Sequence, residues 1–243
     1  IKADFNPELV MKTIEDEEMT GFFGVSTHFN GMLGVDQSIL DNCSGSSLKT
    51  IISNAAALPQ SLKEKIVKHF GEGLLYECYG STEGGIISNL GPADKLRKKQ
   101  CVGEPFPFTE LKIVNNDGDE CEPNEVGEVF TSSPYIFNGY WQKEKETQDA
   151  FDGEWLTVGD LAKKDEDGFL YIVDRKKDMI ISGGVNIYPR EIEEVLLEHP
   201  EINDTAIVGE PDEKWGDIIK AFIVFKEEEL SLDVIQDFCS NKI

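Results

Sequence analysis

The spacing of apolar and polar positions in the first 90 residues predicts helices and strands in alternation. Asn6 and the proline after it predict the start of a helix that runs to about residue 18. The Asn6 side chain can cap the helix, and proline suits the first helical position because the N–H there has no partner within the helix. Apolar runs at residues 19–25, 48–53 and 74–79 predict three strands. A helix with one apolar face begins at Pro59 and separates the last two strands.

A strand, a helix and a strand within about thirty residues form a βαβ unit, so we expect neighbouring parallel strands. Their carboxyl ends then share one edge, which places the turns at 54–57 and 80–83 side by side, near Ser26 and Thr27. Ligands of open α/β sheets bind along that edge. The small side chains at 54–57 leave room for a flat group, or they only allow tight packing between helix and strand.

Residues 80–85 follow the last of these strands and combine glycines with polar side chains. Gly80 ends the apolar run, and Ser81, Thr82 and Glu83 then supply two hydroxyls and a carboxylate beside free backbone amides. Such a corner suits a phosphate together with a divalent cation. An ordinary Gly-rich turn has the same pattern, and the residues alone leave both interpretations open.

The remaining chain predicts a β-rich part and a small mixed part. Short strands at 111–114, 126–132, 161–164 and 169–173 indicate an antiparallel layer or barrel. A helix at 189–199, strands at 205–208 and 221–225, and a last helix capped by Ser231 indicate a small α+β unit. We therefore predict an α/β fold with three parts: a parallel βαβ sheet, an antiparallel β subdomain and a C-terminal α+β domain. The predicted boundaries are 1–174 for the large domain (1–92 α/β, 93–174 β-rich), 175–178 for a hinge and 179–243 for the small domain.

Three further places in the chain are candidates for ligand binding. Asp160 follows a glycine between two strands, where its carboxylate could accept hydrogen bonds from a sugar diol or simply bond its own turn. Arg175 begins a cationic run, RKK, which is either functional or a solvated linker. Gly183 and Gly184 follow Ser182 and allow either a close approach to a ligand or a bend.

Composition excludes several classes of function. The 243 residues carry a formal charge of −24, which disfavours nucleic acid and anionic membranes as partners. Every apolar run is far shorter than the ~20 residues of a transmembrane helix, and the N-terminal residues do not resemble a signal peptide. Five scattered cysteines without a CxxC motif argue against a zinc site or disulfide framework and favour a reducing, cytoplasmic location.

Six motifs, in order, are similar to those of the AMP-forming acyl-CoA synthetases. They are YGSTEGG (79–85), VGEPFP (102–107), NGYW (138–141), GEWLTVGDLA (153–162), DGFLYIVDRKKDMIISGGVNIYPREIEEVL (167–196) and VGEPDEKWGD (208–217). The resemblance covers essentially the whole chain. It places the sequence with the adenylate-forming superfamily, which also contains peptide-synthetase adenylation domains and firefly luciferase.

The resemblance implies a reaction and a site. A carboxylic acid reacts with Mg-ATP to give an acyl-adenylate, and coenzyme A then displaces AMP. The wording of the hinge motif favours a fatty acid as the carboxylic acid. Tyr79 would stack on adenine, Thr82 would contact phosphate and Glu83 would hold Mg²⁺. Asp160 would bind the ribose hydroxyls with Arg175. The remaining implied nucleotide contacts are Asn54, Ala55, Ala56, Gly80 and Ser81. Lys177 matches the hinge, and Ser182, Gly183 and Gly184 match the loop beside the coenzyme A tunnel.

The sequence also departs from the family pattern. The Ser/Thr/Gly-rich phosphate loop with its lysine, and the terminal Gly-Lys, have no counterpart in these residues, and Val158 stands where many members have Thr. The sequence also lacks an initiator Met, so we expect a fragment of a longer protein that is inactive when isolated. A peptide-synthetase-type adenylation domain and a non-catalytic AMP-binding remnant stay open as alternatives. The sequence does not indicate an oligomeric state.

Overall fold

The computed structural model describes residues 4–54, 58–227, 229–240 and 242, and three sheets organise this part of the chain. The first sheet has the strand order β1-β2-β3-β4-β5. Its strands are β1 (Gly21–Gly24), β2 (Thr50–Ser53), β3 (Leu75–Ser81), β4 (Gly85–Leu90) and β5 (Glu104–Pro105). The helices of this part are α1 (Pro7–Asp16), α2 (Ser26–Leu33), α3 (Gln37–Asn42) and α4 (Gln60–Phe70).

The predicted βαβ unit is confirmed by the pairing of β1, β2 and β3, which run parallel. The apolar face of α4 supplies Leu62, Ile66 and Phe70 to the core beside this sheet. Helix α1 begins as predicted, with the Asn6 side chain accepting a 2.9 Å hydrogen bond from the Leu9 amide. It ends at residue 16 rather than 18.

The predicted end of the third strand was wrong by two residues. Strand β3 continues to residue 81, and the chain then turns back through 82–84 into β4, which pairs antiparallel with β3. Gly80 lies inside this hairpin, where only a glycine fits, because a Cβ at this position would stand 1.9 Å from the carbonyl oxygen of Gly85. The glycine therefore permits close strand contact instead of ending the strand. Neither β4 nor the short helix α3 was predicted.

The second sheet is the predicted antiparallel β layer. It has the order β11-β10-β7-β9-β8, with β6 beside β7. The strands are β6 (Glu110–Val114), β7 (Gly127–Ser132), β8 (Phe151–Asp152), β9 (Trp155–Leu156), β10 (Asp160–Lys164) and β11 (Leu170–Arg175). A short helix α5 (Glu144–Asp149) precedes β8. The sequence did not predict α5, β8 or β9, each of which has six residues or fewer.

The third sheet belongs to the small C-terminal α+β unit. Its order is β13-β12-β15-β14. The strands are β12 (Ile180–Ser182), β13 (Val185–Ile187), β14 (Ile202–Asp212) and β15 (Gly216–Phe225), with helices α6 (Pro189–Leu197) and α7 (Leu232–Ser240). The two strands predicted at 205–208 and 221–225 are the middle and the end of a longer hairpin. Buried Ile180, Leu196, Ile202 and Ile207 form its core. The predicted mixed α/β class is confirmed.

None of the helices in the described part of the chain has the length and apolar character that crossing a bilayer requires.

Candidate active site

The β3–β4 hairpin places polar side chains at the edge where the parallel strands end. Along β3, Glu77 and Tyr79 are two residues apart and so point to the same face of the sheet. The turn after β3 is held by the Gly84 amide, which donates a 2.9 Å hydrogen bond to the Ser81 hydroxyl. Thr82 in this turn is exposed, and Glu83 is half-buried.

Tyr79 and Asp160 meet although 81 positions separate them in sequence. The Tyr79 hydroxyl donates a 2.6 Å hydrogen bond to Oδ2 of Asp160, and Nε of Arg175 lies 3.3 Å from Oδ1. Arg175 is also the strand partner of Asp160, because β10 begins where β11 ends. Burial, and then the negative charge of Asp160, raise the pKa of the Tyr79 phenol, so the hydroxyl stays protonated and remains a donor.

A cleft of about 260 Å³ opens between these groups. Of the residues that the sequence indicated, it is lined by Asn54, Tyr79, Gly80, Asp160 and Arg175. Ala55 and Ala56 lie outside the described residues. We call this space the Tyr79 cleft. It combines an aromatic ring, a carboxylate that can accept hydrogen bonds and a guanidinium that can donate them.

Glu83 lies in the turn between β3 and β4, shortly after Tyr79 and Gly80, and does not itself line the cleft. Its Oε1 accepts a 2.7 Å hydrogen bond from the Tyr140 hydroxyl, which lowers the pKa of the Glu83 carboxyl. Its carbonyl accepts a 2.7 Å bond from the Phe137 amide, so the loop before α5 holds the hairpin turn in place. Glu83 is therefore an ionised hard-oxygen group, as a Mg²⁺ ligand must be.

The described residues contain no group of three or more His, Cys, Asp or Glu side chains arranged for a metal. A single carboxylate still fits Mg²⁺, which commonly takes one or two protein carboxylates and completes its shell with phosphate and water. The donor set at Glu83 is consistent with that arrangement.

The hinge and glycine-loop residues lie apart from the Tyr79 cleft. Lys177 is exposed in the turn between β11 and β12, and lines a different pocket, in the small unit. Ser182 ends β12, and Gly183 and Gly184 connect it to β13 with φ angles of 58° and 84°. Trp215 packs so closely that a Cβ on Gly183 would meet its ring at 2.9 Å. This arrangement of the chain does not bring the loop to the cleft.

Three residues near the site were not assigned a role from sequence. Tyr140 belongs to the NGYW motif, which marked its position but not its contact with Glu83. Arg190, at the start of α6, lines the Tyr79 cleft from the small unit. The sequence feature that could have indicated it is a cationic residue directly after the proline that begins this helix. Glu128 accepts hydrogen bonds from Thr157, which lies shortly before Asp160, and from Lys176, which follows Arg175. No motif of the sequence included Glu128.

Comparison with known proteins supports the interpretation of the motifs. A family profile described as "AMP-binding enzyme" matches residues 1–141, which is more than half of the chain. The chain belongs to the AMP-binding enzyme family. The profile of the AMP-binding enzyme C-terminal domain matches residues 191–243. The resemblance to adenylate-forming enzymes is thereby confirmed.

Relatives within the AMP-binding enzyme family include named ligases. A long-chain-fatty-acid–CoA ligase of Bacillus subtilis is 39% identical over 224 residues, covering 92% of this chain and 40% of that protein. A long-chain-fatty-acid–CoA ligase of Escherichia coli is 36% identical over 96% of this chain and 41% of its own length. The chain thus spans about two fifths of the curated relatives it matches.

Solved structures of the family superpose on nearly the whole chain. An amide bond synthetase from Marinactinospora thermotolerans has a TM-score of 0.91 at 30% identity, over 99% of this chain and 49% of that one. The o-succinylbenzoate CoA synthetase of Bacillus subtilis, in complex with its acyl-adenylate intermediate, has a TM-score of 0.86 at 32% identity, over 98% and 48%. The same synthetase has been solved with AMP, and with ATP and a magnesium ion.

Proposed function

We propose that these residues belong to an acyl-CoA synthetase, which converts a carboxylic acid, ATP and coenzyme A into acyl-CoA, AMP and pyrophosphate through an acyl-adenylate. The observation that carries the proposal is the convergence of Tyr79, Asp160 and Arg175 on one cleft. These residues come from three different strands, and a common role in nucleotide binding agrees with the family membership.

Within this function each side chain has a task that suits its chemistry. The Tyr79 ring stacks on adenine, and the Asp160 carboxylate accepts hydrogen bonds from both ribose hydroxyls while Arg175 contacts the sugar. Thr82 donates to a phosphate, with Gly80 and Ser81 beside it. Asn54, with Ala55 and Ala56, lines the space for adenine and the acyl group.

Glu83 is the carboxylate that would hold Mg²⁺. When bound, the ion neutralises phosphate charge as pyrophosphate leaves. The Tyr140 hydroxyl keeps the Glu83 side chain oriented and ionised, so the carboxylate need not be deprotonated when the ion arrives.

The two half-reactions require two arrangements of the chain. We propose that residues 1–174 form the large domain, that 175–178 act as the hinge with Lys177 as its pivot, and that 179–243 rotate as the small domain. Ser182, Gly183 and Gly184 would reach the coenzyme A thiol path only after that rotation, in agreement with their not lining the Tyr79 cleft here. Such movement lets one site serve adenylation and thioester formation in turn.

The fatty acids are the acid class we propose as substrate, since the bacterial relatives are named as ligases of long-chain fatty acids. A peptide-synthetase-type adenylation domain is the alternative enzyme. The test uses the complete polypeptide with ATP, coenzyme A and acids of increasing chain length, and measures free thiol and pyrophosphate. Acid-dependent thiol consumption supports the ligase, whereas pyrophosphate release that never consumes thiol would point to the alternative.

The 243-residue chain by itself provides a second test. We expect it to bind AMP in a calorimetric titration but to release no pyrophosphate, because the lysines that stabilise the transferring charge in this family have no counterpart here. A chain that binds neither AMP nor an acyl-sulfamoyl adenylate would be a remnant that keeps only the fold. Robust pyrophosphate release by this chain would refute the expected inactivity.

A further inference from the structure

Glu128 in β7 joins two segments that flank the nucleotide-binding pair. Its Oε1 accepts a 2.7 Å hydrogen bond from the Thr157 hydroxyl, and its Oε2 accepts a 2.7 Å bond from the Lys176 ammonium. The Glu128 side chain is only 16% exposed, whereas that of Lys176 is 55% exposed. One largely buried carboxylate therefore holds an exposed hinge residue against the second sheet.

Thr157 and Lys176 are also connected to each other through Gly159. The Gly159 amide donates a 3.1 Å hydrogen bond to the Thr157 hydroxyl, and the Lys176 amide donates a 2.8 Å bond to the Gly159 carbonyl. Gly159 has a φ of 77°, a conformation that glycine adopts readily. Together with Glu128 these contacts close a ring of hydrogen bonds, which we call the Glu128 network.

The two residues of the nucleotide-binding pair are the direct neighbours of this network. Asp160 follows Gly159, and Arg175 precedes Lys176. Glu128 itself lines a separate cleft of about 330 Å³ and is not among the residues around the Tyr79 cleft. Any effect of Glu128 on a nucleotide therefore passes through the backbone at 159 and 176.

We propose that Glu128 is a positioning residue that fixes the resting position of the hinge through Lys176 and the placement of Asp160 through Thr157. The parts of this proposal that concern nucleotide and hinge rotation rest on the proposed function, whereas the restraint of residues 175–177 by Glu128 does not. Lys176 directly precedes Lys177, the proposed pivot, so the Glu128–Lys176 ion pair holds the backbone at the start of the hinge. Loss of the pair should let residues 175–177 leave the arrangement seen here more often.

The experiment measures how readily trypsin cleaves the exposed RKK run of the hinge, which reports how often that segment leaves its resting position. Trypsin cleaves after residues 175–177, and mass spectrometry compares that rate with cleavage after Lys143, an exposed position before α5. We expect Glu128→Gln to raise the ratio of hinge cleavage to Lys143 cleavage about two- to fivefold, the shift that a partly exposed ion pair supports. Lys176→Arg keeps both the charge and the cleavage site and should retain the wild-type ratio. Glu210→Gln removes the Glu210–Lys220 pair of the small unit and is the matched control.

A calorimetric titration with AMP gives the second readout. Thr157→Val breaks the branch that reaches Gly159, so we expect AMP binding about fivefold weaker while the cleavage ratio stays within twofold of wild type. An unchanged ratio in Glu128→Gln, or faster cleavage at hinge and Lys143 alike, overturns the proposal. Failure of the wild-type chain to bind AMP would count against the proposed function and leave the cleavage result to decide the role of Glu128 at the hinge.

Discussion

The Tyr79 hydroxyl donates a 2.6 Å hydrogen bond to the Asp160 carboxylate, and this bond joins the first sheet to the second across the Tyr79 cleft. Arg175 contacts the other oxygen of the same carboxylate. Both oxygens of Asp160 thus have protein partners before a ligand arrives. A ribose diol must share or replace these partners, so nucleotide binding is an exchange of hydrogen bonds at one carboxylate.

The Tyr79 side chain has separable parts, and substitution distinguishes them. We expect Tyr79→Phe to bind AMP within about threefold of wild type, since the ring still stacks and the lost hydroxyl competed with the ribose. Tyr79→Ala should weaken AMP binding at least about tenfold, because base–aromatic stacking contributes ~1–3 kcal/mol. Calorimetric titration measures both. Equal losses in the two variants would mean that the hydroxyl, and not the ring, contacts the nucleotide.

Asp160 should discriminate nucleotides by their sugar hydroxyls. Hydrogen bonds to a charged group contribute ~1.5–3 kcal/mol, so Asp160→Asn should weaken AMP binding about tenfold or more. The control ligand is 2′,3′-dideoxy-AMP, which wild type should bind more weakly than AMP and which the variant should bind about as well as AMP. A variant that still prefers AMP by the wild-type ratio would show that another group binds the diol.

The sequence predicted the elements that carry the site residues, but it did not predict the contact between these residues. Each element that carries Tyr79, Asp160 and Arg175 was anticipated from local patterns, because apolar runs and glycine turns are local features. Nothing local specifies that positions 79 and 160 bond, since that contact depends on how the first and second sheets pack. The motif resemblance assigned both residues to one nucleotide, Tyr79 to adenine and Asp160 to ribose, but it did not predict the bond between them.

The missed elements have two physical causes. Strands β8 and β9 contain two residues each, too few for an alternation of apolar and polar positions to be visible. Strand β4 was missed for a different reason: residues 80–85 were interpreted as a Gly-rich polar corner, whereas the chain turns there into a hairpin. Both β8–β9 and β3–β4 pair residues that are close in sequence, and they were hidden by short length in one case and by glycines in the other.

Glu83 should control the effect of magnesium on ATP binding. Mg²⁺ should strengthen binding of ATP to the wild-type chain, and Glu83→Gln should remove roughly tenfold of affinity with the metal present, equal to ~1.4 kcal/mol. The amide can still accept the bond from Tyr140, so the fold of the turn is retained. AMP binding without metal serves as the control and should not change. A variant with the full magnesium effect would exclude Glu83 as the ligand.

The hinge can be tested in the complete enzyme by restricting one backbone angle. Lys177→Pro fixes φ near −65° and should block rotation of the small unit. Pyrophosphate release should stay within about threefold of wild type while coenzyme A consumption falls more than about tenfold, because only the second step needs the rotation. Lys177→Ala controls for the loss of charge. A parallel fall of both rates in the proline variant would place the pivot elsewhere.

Lys95 is a fully buried lysine in the segment between β4 and β5. Its ammonium lies 3.7 Å from the Glu77 carboxylate, whose same oxygen is 2.8 Å from the ammonium of Lys63 in α4. Two cations therefore face one carboxylate in a buried site. Burial lowers the pKa of Lys95 from 10.5 to about 7; the nearby charge of Lys63 adds to this shift, and that of Glu77 opposes it.

The depressed pKa predicts the direction in which stability depends on pH. Between pH 7 and about 10 the unfolded chain holds a proton on Lys95 that the folded chain has lost, so the free energy of unfolding should rise with pH. We expect a contribution of roughly 1 kcal/mol per pH unit, which Lys95→Met should abolish because it keeps the apolar stem and removes the titrating group. Urea denaturation of both proteins at pH 7, 8 and 9 measures the difference. Lys99→Met, at an exposed neighbour, should keep the wild-type slope, and parallel slopes for wild type and Lys95→Met would mean that Lys95 remains protonated in the fold.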